Sequence, residues 1–172
     1  SSFILRKLKE DAEAGEKDKT FPSNLRFLKA SILIDAFLNY YSIPHHLTTI
    51  ETVKLIYDSL NKNGVAAINL VSSLEGKTSQ FLKAEYKTYK EIFPQVYLFP
   101  IQSPNSKDEF QNIFLVALKS EDTPNFTSED PIINERLGHL WKEDISLDMP
   151  ILTDDFAPVD QYLMDYLYIR NL

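Results

Sequence analysis

The chain contains no cysteine. That removes disulfides, thiolate metal sites and thiol nucleophiles in one stroke. Glycine is almost as scarce. Gly15, Gly64, Gly76 and Gly138 are the four in 172 residues, and they are scattered, so no glycine-rich phosphate loop can be assembled from them. No apolar run approaches the length needed to span a bilayer, and the N-terminus shows no signal-peptide pattern. A basic stripe of the kind nucleic-acid binders carry is also missing. Net charge is −7, and the excess is concentrated: residues 1–30 are mildly basic, residues 31–120 balance, and residues 121–172 hold twelve acidic side chains against three basic ones. Such a third focuses cationic ligands electrostatically or serves as a solvated acidic surface.

What remains is an ordinary globular composition, 44% apolar and 25% charged, in a chain long enough for one domain with a proper core. Residues 3–14 carry a helical apolar pattern (Phe3, Ile4, Leu5, Leu8, Ala12), and residues 14–20 form a polar break. Ile32–Ile34 reads as a buried strand ending at Asp35. Thr48-x-x-Glu51 is a capping box opening a helix with Val53, Ile56, Tyr57 and Leu60 on one face, and Asn63-Gly64 supplies its stop. Val65–Val71 is apolar almost throughout, as in a parallel strand covered on both faces. Ser72-x-x-Glu75 is a second capping box, before a helix extending to about Phe93 with Leu82, Tyr86, Tyr89 and Phe93 aligned.

Val96–Phe99 and Asn112–Leu118 are two further strands. The link between them is too short for a helix, so they are expected to pair antiparallel. Asp130-Pro131 is an N-cap followed by proline at the first helical position, with Ile133, Leu137, Leu140 and Trp141 lining that helix. A last helix follows Pro158, with Val159, Tyr162, Leu163, Tyr166 and Leu167 on one face.

Two places carry chemistry. Asp35 stands where a strand meets a loop. In an open α/β sheet the carboxyl ends of strands face the ligand crevice, so Asp35 is a candidate general base or amine anchor; a plain turn carboxylate is the alternative. Thr153-Asp154-Asp155-Phe-Ala-Pro158-Val-Asp160 gathers three carboxylates, suited to a polyamine or metal, or to capping the helix after Pro158. The adjacent pair His45-His46 points two ways and lacks a third ligand at a metal-site interval. His139 needs no special role, and Ser72-Ser73 lack the flanking glycines of a nucleophile elbow.

Taken together, the segment Ile32–Pro44, the segment Asn63–Ser72 and the segment Leu152–Asp160 resemble the spermidine synthase-like (aminopropyltransferase) family, most nearly its divergent prokaryotic branch. The likeness covers about residues 25–168. It implies an α/β, Rossmann-like sheet of the class I S-adenosylmethionine-dependent methyltransferase type with an antiparallel last strand. Residues 31–172 would be the C-terminal half of that domain, and residues 1–30 an N-terminal segment of an incomplete first half.

The resemblance also implies aminopropyl transfer from decarboxylated S-adenosylmethionine to an amine, in polyamine biosynthesis in the cytoplasm. Asp35 would be the catalytic base. Asp35, Ala36, Pro44 and His45 would line the nucleoside co-substrate, and Asn39, Asp154 and Asp155 the amine or polyamine. The charge pattern, the apolar runs and the ligand spacing argue against nucleic acid, a membrane and a metal, and the family implies no tightly bound cofactor and a homodimer. Where the family has a second Asp three residues after the first, this sequence has Leu38. The donor-binding loop and its acidic ribose anchor have no counterpart in residues 1–30. About 80–100 further residues before Ile32 are expected in a complete domain. A non-catalytic binding module of the same fold and an S-adenosylmethionine-dependent methyltransferase are the alternative functions.

Overall fold

The computed structural model describes residues 29–35 and 44–170. The helix expected at residues 3–14 and the segment before β1 lie outside them. Strand β1 (Lys29–Asp35) is followed by a 3-10 turn (His45–Leu47) and helix α1 (Ile50–Ser59). Strand β2 (Leu60–Ser72) leads through a second 3-10 turn (Lys77–Ser79) into helix α2 (Gln80–Lys90). Strands β3 (Gln95–Pro100) and β4 (Gln111–Leu118) come next, then the short α3 (Pro131–Leu137) and α4 (Val159–Arg170).

The four strands form one sheet in the order β1-β2-β4-β3. β1 and β2 are parallel, which requires a crossover, and α1 provides it. β4 lies antiparallel to both β2 and β3. The antiparallel pair expected from the short link between the third and fourth strands is therefore present, and β4 inserts between β2 and β3.

One face of the sheet makes the core. Along the register, Ile34, Ile68 and Leu115 stand side by side, as do Ala66, Ala117 and Val96. They pack with Val53 and Ile56 of α1, Phe81, Leu82 and Tyr89 of α2, and Val159, Tyr162 and Leu163 of α4. The other face is covered on its β3 side, where Phe126 meets Tyr97 and Phe99 edge-on at 4.8 and 5.3 Å. Towards β1 it is open among the described residues: Leu33 is 71% exposed. β2 therefore alternates buried and half-buried positions instead of being sealed on both faces.

Several boundaries differ from the sequence reading. Gly64 does not end α1; the helix stops at Ser59 and Gly64 lies within β2. Its lack of a side chain matters there for a steric reason, since a Cβ would come 2.7 Å from the Cβ of Leu60. This is where β2 bulges against β1, with Lys29 opposite Leu60 but Ser31 opposite Val65. Neither capping box forms. Thr48 Oγ1 donates to the His45 carbonyl and Ser72 Oγ to the Thr78 carbonyl. α2 begins at Gln80, after an extra 3-10 turn, and ends at Lys90 rather than Phe93. Asp130 does cap α3, accepting from the amides of Ile132 and Ile133. The apolar stripe expected on α3 is not sealed, however: Ile133 is exposed, Leu137 is half-buried, and Leu140 and Trp141, also half-buried, lie beyond the end of the helix. His139 lies just beyond α3, with Nδ1 2.9 Å from the Pro100 carbonyl.

Candidate functional site

The carboxyl ends of the parallel strands β1 and β2 define one rim of the sheet. β1 delivers Asp35 to this rim, with its backbone opposite Asn69. The side chain of Asp35, and Ala36 and Asn39 altogether, lie outside the described residues. β2 delivers Ser72 and the loop that follows. That loop is a dense hydroxyl network: Ser73 Oγ donates to the Glu75 carbonyl and lies 2.7 Å from Thr78 Oγ1, while Ser79 Oγ donates to the Gly76 carbonyl. Gly76 takes φ 80°, a left-handed conformation that suits glycine. Ser72, Ser73 and Ser79 are completely buried, so their hydroxyls shape the loop and none is presented as a nucleophile.

Because α1 is the crossover after β1, its N-terminus stands at this same rim. The chain reaches it through Pro44 and the His45–Leu47 turn. His45 is exposed. His46 is half-buried, and its Nε2 is closed off from solvent without a hydrogen-bond partner among the described residues. The two rings lie edge to face at 5.6 Å, so they diverge and do not converge on a common ligand.

Three threonines tie this corner together. Thr48 Oγ1 holds the His45 carbonyl, Thr52 Oγ1 holds the His46 carbonyl, and Thr49 Oγ1 donates to Asp154 Oδ1 at 2.7 Å. Thr153 to Phe156 is a tight turn closed by two backbone hydrogen bonds of 3.0 Å, with Asp154 and Asp155 at its tip. The turn docks on the start of α1 by two more contacts. The Leu152 carbonyl accepts from the Ile50 amide, and Glu51 Oε2 accepts from the Asp154 amide. The Asp154 carboxylate is thus spent on α1, and the expectation that it caps the last helix is replaced by this contact. Asp155 is exposed. Asp160 lies in the first turn of α4, where negative charge suits the helix dipole.

The rim therefore brings together the backbone of Asp35, the Pro44–His46 segment, and Glu51, Asp154 and Asp155. Of the residues singled out in the sequence, Asp35, Pro44, His45, Asp154 and Asp155 are placed at this end of the sheet. Sequence reasoning missed Thr49 and misassigned Glu51, whose partner is 103 residues away and not within its own helix. The three threonines within five residues were the available signal. A shallow depression of about 380 Å³, lined by Tyr57, Asp58, Leu60, Lys62 and Lys119, opens at the opposite end of the sheet. Of its two lysines, Lys62 is exposed and Lys119 is engaged structurally, since Lys119 Nζ donates to the carbonyls of Tyr57 and Leu60. No helix among the described residues is long and apolar enough to cross a membrane.

No protein-family model matches the chain, and no curated protein matches its sequence. Among solved structures the chain is similar to a probable spermidine synthase from Corynebacterium glutamicum ATCC 13032, with a TM-score of 0.52 and 20% identity. The match covers 83% of this chain and 51% of that one, so the chain spans about half the length of that protein. At this identity the likeness concerns the fold: the mixed sheet and its helices are a Rossmann-like α/β arrangement of the methyltransferase type.

Proposed function

We propose that the rim at the carboxyl ends of β1 and β2 is the acceptor side of a group-transfer site, at which an amine attacks a carbon next to a sulfonium. The observation that carries this reading is the docking of the Asp154–Asp155 turn on the N-terminus of α1, at the end of the sheet to which β1 brings Asp35. An acidic rim of this kind suits an ammonium group. In an aminopropyl transfer, the lone pair of a neutral amine forms the new N–C bond while the S–C bond breaks. The electron pair leaves on sulfur as a neutral thioether, and the proton from the amine goes to a carboxylate base. Asp35 is the residue assigned to that proton. Asp155 would hold a distal ammonium and Pro44 and His45 would border the nucleoside, with Ala36 and Asn39 in the connection between them. Alignment of donor and acceptor supplies much of the rate.

The likeness to a probable spermidine synthase supports aminopropyl transfer over methyl transfer, though the fold alone accommodates both. The donor is a nucleoside co-substrate, decarboxylated S-adenosylmethionine or S-adenosylmethionine, and the acceptor a small amine or polyamine. Leu38, standing where the family has its second Asp, favours a second reading: a binding module of the same fold without turnover.

Titration calorimetry of the full-length protein with methylthioadenosine, putrescine and spermidine tests the proposal. Heat with the nucleoside and with an amine is expected. Binding of an amine without turnover selects the second reading, and silence with all three removes both.

A further inference from the structure

We infer that Thr49 is a positioning residue for the proposed amine site, and that the two adjacent carboxylates of the Asp154–Asp155 turn divide their work: Asp154 is the strut and Asp155 the ligand. This rests on the reading of the rim given above and says which residue of the pair meets the amine.

The argument begins with the environment of Thr49. It is fully buried and occupies the N-cap position of α1, yet its hydroxyl caps nothing. A threonine at that position ordinarily accepts a hydrogen bond from an amide one turn into the helix. Here the hydroxyl donates outward, across 105 positions of sequence, to Asp154 Oδ1. Glu51, in the first turn of α1, also turns outward and accepts from the Asp154 amide. Neither side chain caps the helix, and the two hold the same residue at its carboxylate and its amide.

With Leu152 held by the Ile50 amide, the turn is anchored at three points. Asp154 is oriented by a donor that needs only an acceptor oxygen, so its negative charge is secondary to its geometry. Asp154 and Asp155 are both exposed, but only Asp154 has a carboxylate oxygen engaged among the described residues, so the charge left free for a cation is that of Asp155. The hydroxyls of Thr48 and Thr52 fasten the two histidine carbonyls to the same first turn of α1. Thr49 therefore sets the distance from Asp155 to the Pro44–His46 segment.

Putrescine and spermidine titrations at low ionic strength, where exposed charge pairs are least screened, test the division on the full-length protein. Asp154→Asn keeps the acceptor oxygen and is expected to bind amine within about twofold of wild type. Asp155→Asn removes the charge and is expected to weaken binding about tenfold. Thr49→Val, nearly isosteric, should weaken amine binding by a similar factor and leave methylthioadenosine binding within about twofold, and Thr49→Ser should restore it.

Equal losses for Asp154→Asn and Asp155→Asn overturn the division, and wild-type affinity in Thr49→Val overturns the positioning role. If Thr49→Val does not fold, the two Asn variants decide alone, because neither removes a buried contact. A wild-type protein that binds no amine brings down the proposed function itself, before any variant is compared, and this inference with it.

Discussion

Lys119, just past the end of β4, donates from Nζ to the backbone carbonyl of Tyr57 while standing 4.3 Å from the centroid of that residue's ring. It also donates to the carbonyl of Leu60, so one ammonium serves the last turn of α1. The last carbonyls of a helix lack partners and carry the negative end of its dipole. The expected glycine cap is unavailable here, because Leu60 passes directly into β2 with extended φ and ψ. A lysine from a distant strand supplies the donors instead.

Replacing Lys119 with Met keeps much of the stem and removes the charge. Unfolding stability is expected to drop by about 1–2 kcal/mol, the sum of a charged hydrogen-bonding donor and a cation–π contact in a half-exposed setting. Urea denaturation measures it. A change under a few tenths of a kcal/mol would show that solvent replaces the ammonium at no cost.

Glu85 of α2 gives a pH prediction. It is 2% exposed, and its Oε2 has no partner among the described residues. Burial pushes its carboxyl well above the ordinary value of 4.5, because a carboxylate cut off from water is unstable without compensation. Tyr89, one turn on, is also pushed up, by burial first and then by the nearness of Glu85. The folded chain thus keeps a proton that the unfolded chain gives up above about pH 4.5. Between those two values the native state binds more protons, so this group's contribution to stability falls as pH rises. Glu85→Gln, which cannot ionise, should gain on wild type as pH rises from about 5 in parallel denaturation curves. Curves that stay parallel across that range would mean that Glu85 finds a partner or water when ionised.

Much of this fold was legible because hydrophobic period and loop length report local facts. The β2 and β4 runs, the buried stripes of α1 and α2, and the Asp130-Pro131 start of α3 each follow from neighbours in sequence. The short link from β3 to β4 likewise dictated their antiparallel pairing. The misreadings share one cause. Thr48, Glu51, Ser72 and Gly64 each suit a local cap, and each was recruited by a tertiary or loop contact instead. In the site, residue type and chain position pointed to Asp154 and Asp155. Both are exposed, and that only Asp154 is held by Thr49 depends on a contact between segments 105 residues apart, which no local pattern encodes.

Thr88 shows how the core holds the acidic turn in place. Its buried hydroxyl donates to the Ala84 carbonyl and accepts from the amide of Leu152, itself fully buried. Thr88→Val keeps the shape and leaves the Leu152 amide without its partner. An unsatisfied buried donor costs roughly 1–3 kcal/mol, and the effect should extend beyond global stability. Leu152 is the residue whose carbonyl holds the first amide of α1. Hydrogen exchange in Thr88→Val is expected to speed up at residues 152–156 more than in β2 or β4. Uniform acceleration would indicate that the turn has no independent opening and depends only on the fold as a whole.

The last prediction concerns Asp35, the residue to which the proposed chemistry assigns the proton. Its place at the end of β1, opposite Asn69, is fixed by a parallel ladder running from Ser31 to Asp35, so substitution at the strand's last position leaves the paired backbone intact. Asp35→Asn preserves size and hydrogen-bonding capacity and abolishes basicity. With full-length protein, decarboxylated S-adenosylmethionine and putrescine, turnover should fall by about 100-fold or more, the typical contribution of a positioned general base. Thermal stability should stay close to wild type. Raising the pH should recover part of the loss, because a larger fraction of the amine is then already neutral and needs no base. A loss that stays constant with pH would assign Asp35 to holding the ammonium in place. Turnover close to wild type would reduce it to a turn residue, and the base would have to be sought elsewhere on the rim.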